Sequence, residues 1–150
     1  MTDSIDVMTR KFCDVLAETE RLNPEALRAY QENLLAPLVQ HAFRNVPFYK
    51  NRLALLFRGD DVEFSRWGEI PILTRSEAQQ NTQAMAAIVS PPHAGRVERG
   101  ETSGSTGRPL RYLRSEIANV AALALTDRTF RHWNFSGEKA MACFTARSGR

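Results

Sequence analysis

The sequence lacks any apolar run long enough to cross a bilayer. Its apolar stretches fall short of the roughly 18 residues that a membrane-spanning helix needs. The first residues, MTDSIDVMTRK, carry charges without the hydrophobic segment that follows them in a secretory signal. Internal repeats are also lacking, and low complexity is confined to one short Ser/Thr/Gly-rich stretch. We therefore expect a soluble, cytoplasmic protein with no membrane span.

Cysteine is scarce, with two residues in a chain of 150. Cys13 and Cys143 lie far apart, and neither stands in a Cys-x-x-Cys or Cys/His spacing of a metal site. The histidines His41, His93 and His132 are equally dispersed. We expect reduced core thiols and histidines that pack or face solvent, so the sequence predicts no metal ligand.

Charge of one sign dominates only locally. The net charge of +3 favours anionic partners without naming one. Five arginines crowd one segment: Arg96, Arg99, Arg108, Arg111 and Arg114. The acids opposing them there are Glu98, Glu101 and Glu116. Solvated outer faces of a strand pair and an anion site both remain open. Nucleic acid is not expected as a partner, because no binding motif or row of interleaved aromatics accompanies these arginines.

The pattern up to about residue 90 predicts helices. The first covers about 5–21, with an apolar stripe of Val7, Met8, Phe12, Val15 and Leu16. Asn23-Pro24-Glu25 is a strong start for a second helix, which ends at Asn45-Val46 because Pro47 disfavours helical geometry before it. Its predicted buried face is Leu27, Tyr30, Leu34, Leu38, His41 and Ala42.

Shorter elements follow. FYKNRLALLFRG predicts a helix closed by Gly59, and the next loop is expected to be anchored by Trp67 and Ile70. Thr74 and Glu77 form a capping-box pattern at the start of another helix, which ends before Ser90-Pro91-Pro92.

From residue 94 the pattern changes to strands. RVERGE and PLRYLR predict two short strands, and Ser115 caps a helix running to about Trp133. That helix should turn inward Ile117, Val120, Ala124 and Phe130. The apolar run AMACFTA at 140–146 suits a buried strand.

The predicted fold class is α/β, which within this chain amounts to α+β. A helical region over 1–93 precedes the start of an α/β core over 94–150. The final strand would have nothing after it to cover it, so we expect an N-terminal part of a larger domain.

The stretch GETSGSTGRPLRYLRSE at 100–116 carries the chemistry. A phosphate needs converging donors and a backbone that approaches closely, and Gly104 and Gly107 supply that freedom. Hydroxyl groups come from Thr102, Ser103, Ser105 and Thr106, and Arg108 adds a charged fork. The Walker and dinucleotide glycine patterns both fail here. On residues alone a linker and a phosphate loop both stay open, although Pro109 favours a defined hairpin.

Three ordered segments carry a family resemblance. TSGSTGRPL resembles the phosphate loop of the adenylate-forming (AMP-binding) enzyme superfamily. LVQHAFRNVPFYKNRL and IPILTRSEAQQN are similar to N-terminal helices of its phenylacetate-CoA ligase-like branch, and they precede the loop in the same order. The resemblance covers about residues 34–145.

The resemblance implies an ATP-dependent, AMP-forming ligase. Such an enzyme uses ATP and Mg²⁺ to activate a small-molecule carboxylate as an acyl-adenylate, and a thiol, usually that of coenzyme A, then displaces AMP. The residues it assigns to the ATP phosphates are Thr102, Ser103, Gly104, Ser105, Thr106, Gly107 and Arg108. Arg108 replaces the usual Lys, and Leu110 stands where many members have Thr or Lys.

The resemblance also implies that this chain is incomplete as a catalyst. It places the Mg²⁺ site, the adenine site and the catalytic lysine after Arg150, so no catalytic residue is predicted here and the chain alone is expected to be inactive. A homodimer of the longer protein is left open. Two alternatives also remain: a non-catalytic helical interaction module whose Ser/Thr/Gly loop only connects elements, and an adenylate-forming relative of polysaccharide or cofactor biosynthesis with a non-CoA acceptor.

Overall fold

The computed structural model of the chain describes residues 5–102 and 109–134. Within these ranges the elements are α1 (Ile5–Thr19), α2 (Pro24–Asn45), α3 (Pro47–Leu53), a 3₁₀ turn (Ala54–Leu56), β1 (Phe57–Arg58), β2 (Asp61–Val62), a second 3₁₀ segment (Phe64–Glu69), α4 (Arg75–Gln80), β3 (Val97–Glu101), β4 (Arg111–Ser115) and α5 (Glu116–His132). The strands form two antiparallel pairs, β1 with β2 and β3 with β4. This mixture of helices and small antiparallel sheets is α+β, as predicted.

The predicted N-terminal helix caps are confirmed. Asn23 precedes Pro24, and its side-chain oxygen accepts a hydrogen bond from the Ala26 N–H at 2.8 Å. Helix α2 ends at Asn45, and Val46 is extended before Pro47. Ser115 caps α5 in the same way, accepting from the Ala118 N–H at 3.3 Å. Each cap satisfies a backbone donor that a helix leaves unpaired at its first turn.

The predicted buried face of α2 is wrong at Leu34 and Leu38, whereas Leu27, Tyr30, His41 and Ala42 are half-buried. Leu34 and Leu38 are 57% and 60% exposed, whereas Val39 is buried and Ala42 and Phe43 pack beside it. Val39, Ala42 and Phe43, in the last two turns of α2, belong to the core cluster or pack against it. The apolar stripe read from the sequence therefore lies partly on the surface, at Leu34 and Leu38.

The helix predicted to end at Gly59 stops earlier, at Leu53. A 3₁₀ turn and the β1–β2 hairpin follow, so Gly59 occupies the hairpin turn at φ +65° rather than a helix cap. Hairpin formation pairs Phe57 with Val62. Both then pack on the small core of Val39, Leu53 and Leu56. Burying this apolar pair outweighs one more helical turn.

Arg52 ties α3 to the chain that leads into α4. Its guanidinium donates to the Pro71 carbonyl at 2.7 Å and to the Ile72 carbonyl at 2.7 Å. It also donates to Glu77 Oε1 at 3.2 Å, and its side chain is 12% exposed. A single fork thereby holds two consecutive backbone carbonyls and the acid of the α4 cap.

The capping box of α4 is confirmed. The Glu77 N–H donates to Thr74 Oγ1, and the Thr74 N–H donates to Glu77 Oε2 at 2.8 Å. These bonds from Thr74, together with that from Arg52, lower the pKa of Glu77. Helix α4 is short: it ends at Gln80, well before Ser90.

Of the two anchors predicted for the loop before α4, one is confirmed and the other is wrong. Ile70 packs against the core cluster, as expected. Trp67 does not serve as an anchor, because 44% of it is exposed and its ring meets only the Phe64 ring, at 6.0 Å, among the aromatic contacts described.

Helix α1 packs against α5, more than a hundred residues away in the chain. It ends at Thr19, two residues earlier than predicted, and contains no buried residue. Polar contacts join the two helices: Cys13 Sγ donates to Asp127 Oδ2 at 3.3 Å, and Arg128 pairs with Glu20. Cys13 is a free, half-buried thiol, and burial followed by the bond to Asp127 raises its pKa.

Ile88 is hydrogen-bonded to a helix that precedes it in the chain, whereas Ala94 is hydrogen-bonded to a helix that follows it. The Ile88 N–H donates back to the Asn45 carbonyl at 2.8 Å, whereas the Ala94 carbonyl accepts from the Ile117 N–H at 3.2 Å. The division of the chain at residue 93 stays a prediction.

The strand expected at 140–146 lies outside the described residues, as does Cys143. No helix within 5–102 and 109–134 is both long and apolar enough to cross a membrane.

Candidate functional site

The β3–β4 hairpin carries the candidate site. The register pairs Val97 with Ser115 and Glu101 with Arg111, so the strands predicted at RVERGE and PLRYLR are confirmed as neighbours. Because side chains alternate across a strand, Gly100, Tyr112 and Arg114 share one face of the hairpin. Arg99, Leu113 and Arg111 lie on the other.

The two ends of the candidate loop meet at Thr102 and Leu110. The Thr102 N–H donates to the Leu110 carbonyl at 3.0 Å, and the Leu110 N–H donates to the Thr102 hydroxyl at 3.0 Å. Both residues are half-buried. Just inside this pair, Arg111 Nε donates to Glu101 Oε1 at 2.8 Å. The connection is therefore held at its base by four neighbouring residues.

One of the seven predicted phosphate-binding residues, Thr102, falls within the described chain. The other six lie outside it: Ser103, Gly104, Ser105, Thr106, Gly107 and Arg108. The structure brings the flanks of this segment together and leaves the phosphate-binding assignment of all seven residues a prediction.

Helix α5 fixes the opposite end of the hairpin. It begins at Glu116, directly after β4, so no loop separates strand from helix. The Glu116 N–H donates to the Arg96 carbonyl at 2.8 Å, and the Arg96 N–H returns a bond to Glu116 Oε2 at 3.2 Å. Gly95 lies beside this pair at φ +68°, and a Cβ there would stand 2.7 Å from the Glu116 Cβ. The base of the hairpin is thus tightly joined to the helix.

The Tyr112 ring covers Gly100 on the facing strand. A Cβ built at Gly100 would overlap that ring. The Arg114 guanidinium carbon lies 5.3 Å from the Tyr112 ring centroid, within the range of a cation–π contact. Gly100, the Tyr112 ring and the Arg114 guanidinium therefore contact one another in sequence along one face of the hairpin.

The local charge balance is weakly positive. Arg96 pairs with Glu98 at 2.7 Å and Arg111 pairs with Glu101 at 2.8 Å. The four arginines described here exceed the three glutamates by one. The excess of one positive charge favours an anion near the hairpin.

A groove of about 360 Å³ lies at the base of the hairpin instead of at its tip. It is lined by Ile5, Arg96, Glu98, Glu116, Asn119, Val120 and Leu123. Arg96 and Thr102 are six residues apart on an extended strand, which corresponds to about 20 Å. The groove is therefore a separate feature from the candidate loop.

No metal centre is formed by the described residues, since no three of their histidine, cysteine, aspartate and glutamate side chains come together. Of the histidines, His41 contacts the Asn45 side-chain amide at 3.1 Å within α2. Cys13 contacts Asp127, as described above.

Sequence reasoning missed two relationships in this hairpin, Thr102 with Leu110 and Gly100 with Tyr112. Both require the strand register, which a single sequence does not state. A glycine inside one strand and an aromatic residue inside the next were the available signal, because an aromatic ring commonly covers a glycine across a sheet.

Comparison with known proteins adds no assignment: no family model matches the chain, and no curated protein or solved structure matches it.

Proposed function

We propose that the chain carries the phosphate-gripping segment of an ATP-dependent, AMP-forming ligase that activates a carboxylate as an acyl-adenylate. In that reaction the carboxylate attacks the α-phosphate of ATP and pyrophosphate leaves, after which a thiol such as coenzyme A displaces AMP. The segment 102–108 would hold the β- and γ-phosphates, and a phenylacetate-like acid is the substrate class that the resemblance suggests.

The observation that carries the proposal is the closed base of the connection between β3 and β4. Thr102 and Leu110 are joined in both directions at 3.0 Å, so the two ends of TSGSTGRPL are held side by side. A linker does not need fixed ends, whereas a loop that aims several N–H and hydroxyl donors at one anion does.

The upstream segments support the same proposal. Val46-Pro47-Phe48-Tyr49 forms the break between α2 and α3, and Thr74 starts α4 through its capping box. These two segments carry the resemblance together with the loop, and each adopts a defined helix boundary that its residues require.

The residues present fit part of what the reaction needs. A positive charge excess and paired acids around the hairpin suit a phosphate, and Arg108 offers a charged fork for the leaving pyrophosphate. The described residues offer no cluster of acids for Mg²⁺. The proposal therefore assigns no Mg²⁺, adenine or coenzyme A contact to this chain, and no catalytic residue.

The test is pyrophosphate release from ATP and Mg²⁺ with a panel of carboxylates, using the protein that contains this segment together with the residues that complete the enzyme. Replacing Gly104 and Gly107 together by Ala should abolish release while the protein stays folded. Gly68→Ala is the matched control, because open space surrounds Gly68. Absence of release with every carboxylate, or indifference to the double change, would count against the proposal.

The 150-residue chain by itself should show no turnover and only weak binding of Mg-ATP. Titration calorimetry measures this directly. Tight binding by the chain alone would contradict the division of roles proposed here.

A helical interaction module is the second candidate. The observation favouring it is the uncovered apolar surface of α2, where Leu34 and Leu38 are largely exposed on the side away from the core. In that case Leu34→Ser with Leu38→Ser should abolish partner binding, whereas the Gly104 and Gly107 changes should not. The ligase proposal predicts the opposite pattern.

A further inference from the structure

The hydrogen bonds between Thr102 and Leu110 depart from those of a regular antiparallel rung. In such a rung each residue's N–H donates to the other's carbonyl oxygen. Here the Thr102 N–H does reach the Leu110 carbonyl, but the Leu110 N–H donates to the Thr102 hydroxyl at 3.0 Å. The side chain of Thr102 thus provides the acceptor that its own carbonyl provides in a regular rung.

Thr102 and Leu110 form the last described rung of the ladder before residues 103–108. The Thr102 hydroxyl completes this rung by accepting from the Leu110 N–H. The Thr102 side chain consequently fixes the separation of the two chain ends that flank residues 103–108.

We propose that Thr102 is a positioning residue: its hydroxyl joins the two strand ends that flank residues 103–108. This inference rests on the proposed function and adds a positioning role to the one that the family resemblance gives to Thr102. A hydroxyl has one proton to donate and two lone pairs that accept. One lone pair of Thr102 accepts from the Leu110 N–H, and Thr102 is half-buried beside that strand.

The neighbouring contacts make this base stiff. Gly100 and Tyr112 occupy the next position on the same face, and the Tyr112 ring lies over Gly100. Glu101 and Arg111, the pair of residues between Gly100–Tyr112 and Thr102–Leu110 in the ladder, form an ion pair at 2.8 Å. A change at Thr102 should therefore be felt locally, at the Leu110 amide, before it affects the rest of the hairpin.

Amide hydrogen exchange of the 150-residue chain tests the proposal without nucleotide. Thr102→Val keeps the shape of the side chain and removes the hydroxyl, so the Leu110 amide should exchange roughly tenfold faster, the factor that one ordinary hydrogen bond contributes. Thr102→Ser restores the hydroxyl and should restore protection. Thr126→Val is the matched control, because the Thr126 hydroxyl bonds only the Ala122 carbonyl within α5. Amides around Leu56, in the separate core cluster, report whether each variant remains folded.

The same variants are then titrated with Mg-ATP, followed by the chemical shifts of Glu101 and Arg111. The weak response of the unmodified chain should fall in Thr102→Val and return in Thr102→Ser. Unchanged exchange at Leu110 in Thr102→Val would overturn the positioning role, whatever the titration gives. No response to Mg-ATP in the unmodified chain would instead count against the proposed function, and a faster Leu110 amide would still support the role of Thr102.

Discussion

The phenol ring of Tyr112 lies over Gly100, directly opposite on the facing strand, in the space that any other residue's Cβ would take. Glycine within a strand usually weakens the strand, because it contributes no side chain to packing. Here the ring supplies the missing contact and in turn gives Arg114 a surface to stack on.

Gly100→Ala should therefore destabilise the hairpin by about 1–3 kcal/mol, the usual cost of forcing a group into filled space. Urea unfolding of the variant measures the free energy of unfolding. In a Tyr112→Ala background the space is vacant, so the same Gly100→Ala change should cost far less. Equal costs in the two backgrounds would show that the ring does not occupy this space.

Alanine substitutions at Gly95 and Gly59 distinguish the cost of backbone strain from the cost of steric crowding. Both have φ near +65°, but a Cβ at Gly95 would stand 2.5 Å from Glu116 Oε2, whereas nothing lies within 4 Å of one at Gly59. Gly59→Ala should cost about 1–2 kcal/mol from strain alone. Gly95→Ala should cost clearly more, because it also displaces Glu116 from the Arg96 N–H. Thermal unfolding of the two variants gives the comparison, and similar losses would contradict the crowding.

Arg52 should be irreplaceable by lysine. A lysine keeps the charge but loses the planar fork that reaches Pro71, Ile72 and Glu77 together. We expect Arg52→Lys to lower the free energy of unfolding by about 1–3 kcal/mol. Arg58→Lys is the control, because the Arg58 side chain is 85% exposed and its pair with Glu63 spans 3.5 Å. It should change stability by less than about 0.5 kcal/mol; equal losses would argue against the fork.

Glu77 should make stability depend on pH. Its pKa is lowered from the ordinary 4.5 by bonds from the Thr74 backbone and side chain and from Arg52. Because the unfolded chain holds the proton more tightly, the stabilisation is fully present above the ordinary pKa and is lost as the pH falls through the lowered one.

Glu77→Gln should therefore destabilise the protein most near neutral pH, and its unfolding curve should approach that of the unmodified chain in acid. Denaturant unfolding at a series of pH values below 6 provides the measurement. A constant difference across the series would mean that the charge of Glu77 contributes nothing.

The features that the sequence predicted well depend on neighbours within a few residues. Asn23, Thr74 and Ser115 each cap a helix through a donor three positions later, so residue type and spacing are sufficient. The boundary at Val46-Pro47 follows from the covalent geometry of proline. These predictions needed no knowledge of distant parts of the chain.

The predictions that failed depend on distant contacts. Gly59 looks like a helix cap until Phe57 and Val62 are seen to pack together on the core. Leu34 and Leu38 continue an apolar stripe, but more than half of each residue stays exposed in the fold. At the candidate site, both strands were predicted, whereas the bond from Leu110 to Thr102 required the register.

The packing of α1 on α5 constrains when α1 can fold during synthesis. Cys13 and Asp127 are separated by 114 positions. At a typical elongation rate of 5–20 residues per second, α1 leaves the ribosome roughly 5–20 s before the surface it packs against. A helix of 15 residues is barely stable alone in water. During that interval α1 lacks α5, the helix it packs against, so this packing can form only when nearly all of the described chain has emerged.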